Sequence, residues 1–246
     1  MFEDFWIYLL TGFAAQMVDG ALGMAYGLTA SSFLLASGLP PAPVSATVHL
    51  AETVTTGASA AFHQRFGNVE RELFKKLLLP GVAGALIGAY VLTALPGERL
   101  KPWIAGYILV MRLVVFAKAF KTVPPVRVGT YVRPLGFFGA LVDAMGGGGW
   151  GPIVTSTLLA RGNETRTAVG TVNAVEFFVT LASSLMFLVT IGFGLWKIVV
   201  PLALGGLVAA PLAAWACKRV PHKPMLAVVG VVISLTALHP LLEAFR

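Results

Sequence analysis

The chain has 246 residues, of which 57% are hydrophobic and only 12% charged, with a mean hydropathy of +0.82. That is about half the charged fraction of a soluble domain, so there is too little polar sequence for a separate soluble unit, and the fold class is all-α, a polytopic integral membrane protein. The net charge of +7 does not point to nucleic acid, because the basic residues lie mostly between apolar segments, and the one cysteine, Cys217, excludes an internal disulfide and a cysteine metal cluster.

Glu3 and Asp4 open the chain where a cleaved leader would be basic, so no cleaved signal peptide is expected. Residues 5–18 are apolar, then come Asp19, Gly20, Gly23 and Gly27, and 28–37 are apolar again. Clustered glycines weaken a helix, so the spacing predicts two pieces, about 5–18 and 22–37, each short for a bilayer core of about 30 Å. GLPPAPV (38–44) is a turn with prolines placed to start the next helix, expected at about 43–62. Further helices are expected at about 76–95, with Gly81, Gly84 and Gly88 as a close-packing face, and at about 102–119. A basic, proline-containing joint leads to broken segments at about 135–145 and 150–161, then to helices at about 166–190, 196–216 and 223–242. Trp6, Trp103, Trp196 and Trp215 fall near segment ends, as interfacial anchors do.

The second half repeats the first. Residues 12–56 slide onto 136–180 without a gap, and 15 of 45 positions are identical, including Asp19/Asp143, Gly23/Gly147, Gly27/Gly151 and Glu52/Glu176. Tyr26 falls on Trp150. The expected organisation is a first membrane repeat at 1–120, a basic cytoplasmic joint at 121–134 and a second membrane repeat at 135–246. Each repeat is a glycine-broken helical segment followed by three transmembrane helices.

Counting lysine and arginine orients the halves. If each broken segment crosses once, the two sides hold 11 and 7 basic residues. If each returns to its own side, or makes two short crossings, the loops at 63–76, 112–134, 161–166 and 218–223 share one side and hold 14, against 4. The second arrangement satisfies the positive-inside rule better. It makes the halves inverted repeats, with the joint cytoplasmic and both termini periplasmic or extracellular. Broken helices at matched positions of inverted repeats are a transporter signature.

The helix after the first break carries Ser45, His49, Glu52, Thr56, Ser59 and His63 at spacings of three and four, hence on one face. Asn173, Glu176, Thr180 and Ser183 repeat the middle of that stripe 124 residues later. Hydroxyls and amides of this kind also join membrane helices structurally. A carboxyl at membrane depth is costly and usually faces a cavity, so Glu52 and Glu176 are the candidates for binding and releasing a coupling proton. The breaks themselves expose backbone N–H groups at a half-helix N-terminus, a setting for an anion. The candidate substrate contacts are Gly23, Tyr26 and Gly27 in the first half and Gly146, Gly147, Gly148, Gly149 and Trp150 in the second, with His49 and Asn173 beside them. The competing reading is that the glycines serve only close packing. Asp19 and Asp143 precede the breaks and are expected to cap the following half-helix or to take part in coupling. Arg112 is expected to snorkel to the cytoplasmic face rather than attract the anion. No metal site and no cofactor is expected.

These residues carry a resemblance. VHLAE (48–52), GGGGWGP (146–152), the GLPP turn, the GNV loop at 67–69 and the doubled layout resemble the sulfite exporter TauE/SafE family of membrane permeases over nearly the whole chain. The resemblance implies a permease of a prokaryotic plasma (inner) membrane for a small sulfur-containing anion: sulfite, thiosulfate, or an organosulfonate such as taurine or sulfoacetate. The first motif departs from the glycine-rich form, with Met24 and Ala25 where the second half has glycine. The expected function is therefore secondary transport, with export the expected direction and a proton the expected coupling ion. The expected partners are this anion and the lipid bilayer, with no nucleic acid. A passive anion channel or uniporter is the nearest alternative. From another class comes an intramembrane aspartyl protease using Asp19 and Asp143. A non-transporting scaffold would leave the paired carboxylates unexplained.

Overall fold

A computed structural model describes residues 2–24, 26–96, 129, 131–192 and 194–219, with isolated helical positions at 100, 103, 106 and 110. The expected helices at 102–119 and 223–242, the joint as far as residue 128, and Arg112 lie outside the described residues apart from those isolated positions. The described residues form helices and no strand: α1 (Phe2–Leu22), α2 (Tyr26–Ala36), α3 (Pro41–Arg65), α4 (Arg71–Ala94) and α5 (Val132–Gly146). A π-helical turn (Gly151–Thr155) runs into α6 (Ser156–Ala160), followed by α7 (Thr165–Ile191) and α8 (Trp196–Arg219).

Helices α1, α4, α7 and α8 are long and apolar enough to cross a membrane. At 25 residues α3 is as long, about 37 Å at 1.5 Å per residue. Its polar stripe keeps it out of that class by composition, yet Ser45, His49, Glu52, Thr56, Ser59 and His63 all face inward and are buried. The lipid-facing side of the protein is apolar: Leu79, Val189 and Val208 are exposed, as are Trp6, Trp103, Trp196 and Trp215. All four tryptophans stand outward, and Trp6, Trp196 and Trp215 do so near the ends of α1 and α8, as the sequence predicts.

The first broken segment differs from its expected bounds. Its first piece does not stop at residue 18; α1 continues through Asp19 and Gly20 to Leu22 and is 21 residues long. One glycine among Ala and Leu costs a helix only about 1 kcal/mol, so the helix survives Gly20 and ends where Gly23 turns left-handed at φ 68°. In the second half α5 ends in the same way, at Gly147 with φ 67°.

Both broken segments double back. The Tyr8 ring near the start of α1 meets Phe33 near the end of α2, edge to face at 5.8 Å. The Arg161 guanidinium just beyond α6 sits 4.2 Å over the Tyr131 ring just before α5. Each segment is thus a hairpin with its glycines at the tip.

The packing partners follow the repeat. Helix α1 packs on α8 and α5 on α4, which are corresponding pairs exchanged between the halves, while α3 packs on its own counterpart α7. The glycine face on α4 permits its crossing: a Cβ on Gly84 would stand 3.0 Å from the Phe137 carbonyl carbon, and one on Gly88 would stand 3.0 Å from that of Leu141. Without water to drive apolar surfaces together, helix association in lipid rests on such close contact. Helices α3 and α7 run antiparallel, with Thr53 bonded to Ser184 at 3.1 Å, Thr56 to Thr180 at 3.4 Å and Ser59 to Asn173 at 2.7 Å. Thr56 and Thr180 are equivalent positions of the repeat and meet each other.

Candidate functional site: a buried acidic centre between two hairpin tips

The polar stripes of α3 and α7 face each other, and the two hairpin tips close on them. Asp19, Glu52, Asp143 and Glu176 are 1%, 2%, 2% and 4% exposed. The four act on one another electrostatically, Asp143 and Asp19 on Glu52 and all three on Glu176. The sequence places these carboxyls 33, 91 and 33 residues apart; the fold gathers them into one core.

The two aspartates hold the half-helices. Asp143 Oδ1 accepts the Trp150 N–H at 3.0 Å, and the Asp19 carboxyl accepts the equivalent N–H of Tyr26. A side-chain oxygen thus satisfies one of the N–H groups that a helix start leaves unpaired. The other carboxyl oxygens differ. Asp143 Oδ2 meets His49 Nε2 at 3.1 Å, whereas Asp19 Oδ2 is buried without a hydrogen bond. Gly27 N–H donates to the Glu52 carboxyl. Glu52 Oε2 and Glu176 Oε2 are buried and unbonded as well. Groups of this kind are costly to leave unpaired in a dry core, which makes these oxygens the candidate site.

The glycines bring the tips into contact. A Cβ on Gly27 would stand 2.5 Å from Gly148 Cα and 2.7 Å from Gly147 O, and one on Gly151 would stand 2.9 Å from the Gly23 carbonyl carbon. Gly148, at φ 151°, packs its Cα against the Gly27–Leu28 peptide. Two hydroxyls stitch this contact symmetrically. Ser31 donates to Gly147 O, and its counterpart Thr155 donates to Gly23 O at 2.6 Å. Much of the backbone donor capacity at the second break is already taken: Gly147 N and Gly148 N bond Asp143 O at 2.8 and 3.2 Å. Gly146 and Gly149 are buried beside them.

The expected aromatic walls are fully buried. The Trp150 ring lies against Gly81 and Gly139 in an apolar cluster with Leu77, Val154 and Val175, and its Nε1–H bonds Val172 O at 3.2 Å. The Tyr26 ring belongs to the opposite cluster with Leu34, Val48 and Leu202. Asn173 bonds Ser59, Val169 O and, at 3.4 Å, Asp19 O. The hydroxyl pair Ser31 and Thr155 escaped the sequence reading although the repeat aligns them. Gln16, fully buried with both amide atoms unbonded, aligns with Ala140, so the repeat carries no signal for it. Among the described residues no group of three or more His, Cys, Asp or Glu side chains is placed to hold a metal ion. A cavity of about 470 Å³ between α3, α4 and α7 is lined by Gly57, Gln64, Arg71, Phe74, Lys75 and Phe177 and by none of the four carboxyls.

Comparison with known proteins gives the class of molecule in which this buried acidic centre sits. The chain is 41% identical to the probable membrane transporter protein YtnM of Bacillus subtilis (strain 168), over 96% of this chain and 86% of that protein. It is 28% identical to the probable membrane transporter protein ORF9 of Sinorhizobium sp, over 94% of this chain and 93% of that protein. No solved structure matches the chain. The model of the family "Sulfite exporter TauE/SafE" matches residues 8–239, and with that match this protein belongs to the TauE/SafE family and is an integral membrane transporter.

Proposed function

We propose that the protein is a secondary transporter that exports a small sulfur-containing anion, sulfite or an organosulfonate, through the acidic centre between the hairpin tips. The observation that carries this reading is the meeting of both tips on four buried carboxyls, three of which keep an unbonded oxygen. The substrate class and the export direction come from the family; the site comes from the centre itself. The halves, residues 1–120 and 135–246, are inverted repeats, which the antiparallel crossing of α3 and α7 supports. The joint at 121–134 faces the cytoplasm, the termini face outward, and the membrane is a prokaryotic plasma membrane. The tips part to admit the anion to Gly23, Gly27 and Gly146 to Gly149, with His49, Asn173, Tyr26 and Trp150 around it.

Four carboxyls beside an anion dictate the coupling. Like charges a few ångströms apart in a poorly screened core repel by several kcal/mol, so the anion occupies the centre only while protons neutralise it. Glu52 and Glu176 take up those protons. A divalent anion leaving with one proton still carries net negative charge outward, and an interior-negative potential drives that at about 2.3 kcal/mol per charge per 100 mV.

The test is transport by purified protein in liposomes, with labelled sulfite, sulfoacetate, taurine, thiosulfate and sulfate, with and without an imposed pH gradient. Gradient-dependent movement of one sulfur anion is expected. Flux indifferent to the gradient would favour a channel or uniporter, and no movement of any of the five would remove the substrate class.

A further inference from the structure

At one pair of equivalent buried positions the repeat sets an imidazole against an amide. His49 and Asn173 occupy the same place in α3 and α7, and each reaches the hairpin of the other half at the aspartate before its tip. Asn173 is fully used: its Oδ1 accepts from Ser59 and its amide donates to Val169 O and Asp19 O. It has no proton to exchange. His49 has one.

The hydrogen bonds locate it. His49 Nδ1 lies 2.8 Å from Ser45 O, a carbonyl that can only accept, so Nδ1 carries a hydrogen. Ser45 Oγ gives its own hydrogen to Ala144 O at 2.6 Å and does not compete. Nε2 therefore faces Asp143 Oδ2 at 3.1 Å either bare or as the second N–H of an imidazolium. Two bare lone pairs would repel, so the contact holds one proton, on Nε2 or on Oδ2. His63 shows the contrast. Its Nδ1 accepts from Asn68 at 3.0 Å and its Nε2–H donates to Gly20 O at 2.8 Å, which one neutral tautomer satisfies.

We propose that the His49–Asp143 pair is a further place, beside Glu52 and Glu176, where the protein holds an exchangeable proton, and that Asp143 passes the state of the pair to the second hairpin tip through the Trp150 N–H. This inference rests on the reading of the protein as a proton-coupled transporter and adds a group to the coupling. The proton enters from water on one side, sits on Nε2 or Oδ2, and leaves to water on the other. The same carboxyl binds the imidazole through Oδ2 and the start of the half-helix through Oδ1, so emptying the pair changes the charge that holds Trp150. The other ionisable groups of this core are Asp19 from α1, Tyr26 from α2, Glu52 from α3 and Glu176 from α7, all linked electrostatically. The Phe187 ring covers His49 at 5.9 Å.

Two measurements test this. The first needs no substrate: ¹⁵N spectra of protein labelled at its four histidines, in lipid nanodiscs, across roughly pH 5 to 9. H49N assigns the His49 signals. His63 is expected to stay one neutral tautomer throughout. The His49 ring is expected to change form across this range in wild type, and its Nε2 signal to be altered in D143N, whose amide oxygen can still accept the Trp150 N–H. A His49 ring in the same form at every pH, in both wild type and D143N, would overturn the proposal. The second uses liposomes and labelled sulfite. H49N, which copies the second half's own asparagine, is expected to lose the dependence of sulfite movement on the imposed gradient, read as the ratio of flux with the gradient to flux without it; a ratio unchanged from wild type would also overturn it. Wild type that moves none of the tested sulfur anions would remove the proposed substrate class, and the ring titration would still decide the pair.

Discussion

Glu52 and Glu176 are equivalent by the repeat and unequal in their surroundings. Glu52 accepts the Gly27 N–H from the first tip, and each glutamate keeps one oxygen unbonded. Replacing either with glutamine keeps the shape and removes the titrating proton. E52Q and E176Q are each expected to lower gradient-driven transport on the order of a hundredfold, as loss of a positioned proton carrier does, with exchange of substrate less affected. Liposome uptake under a pH gradient measures both. Full gradient-driven transport by both variants would remove the glutamates from the coupling. The glycines at the tips answer to a different force. Gly27→Ala would put a methyl 2.5 Å from Gly148 Cα. Backbone cannot yield as a side-chain end can, so a loss of about 1–3 kcal/mol is expected, read as a lower melting temperature of the purified protein. An unchanged melt would show that the tips do not touch in the resting protein.

The hairpins act as elements through what joins them. Ser31 and Thr155 each tie one hairpin to a tip-glycine carbonyl of the other. Removing a hydroxyl leaves a buried carbonyl short of a partner at about 1–3 kcal/mol. S31A and T155A are both expected to destabilise the closed contact. If the tips part during transport, the same variants favour the open form and raise exchange at low substrate. Paired melting curves and exchange rates check this, and a loss of stability confined to one of the two would argue against symmetric stitching. Helix α3 shows how a long helix with a polar stripe is accommodated among apolar ones. Its stripe is fully internal, so its polarity is spent on α5, α7 and the tips rather than on lipid.

At the scale of the whole molecule the testable quantity is sidedness. With Cys217 as the one native cysteine, single cysteines added to a C217S background report topology. Inverted halves place Ser37 and Thr190 on the outer side and Arg65 and Glu164 on the cytoplasmic side; all four are exposed. S37C and T190C are expected to react with an impermeant maleimide in intact cells, and R65C and E164C only after permeabilisation. Labelling of Ser37 and Arg65 from one side would break the inverted arrangement. The exchange of partners, α1 on α8 and α5 on α4, interlocks the halves, so neither is expected to be stable alone.

Much was legible in the chain itself. Hydropathy and charge fraction determined the class, because they are sums over local composition. The repeat and its paired acids determined where the breaks lie and that two carboxyl-bearing stripes exist, because spacing along one helix is a local property. The bounds of α1 were misjudged because a single glycine is too weak to stop a helix before a left-handed residue does. What only the tertiary structure decided is which groups meet. That each broken segment returns on itself rests on Tyr8 with Phe33 and Tyr131 with Arg161, contacts 25 and 30 residues long in sequence. That His49 faces Asp143 while Asn173 faces Asp19 depends on how the two halves pack together, and no period in the sequence reports it. The same packing turned the glycines from separate breaks into one shared contact. A glycine's want of a side chain is written in the sequence, and what fills that space is set by the other half of the molecule.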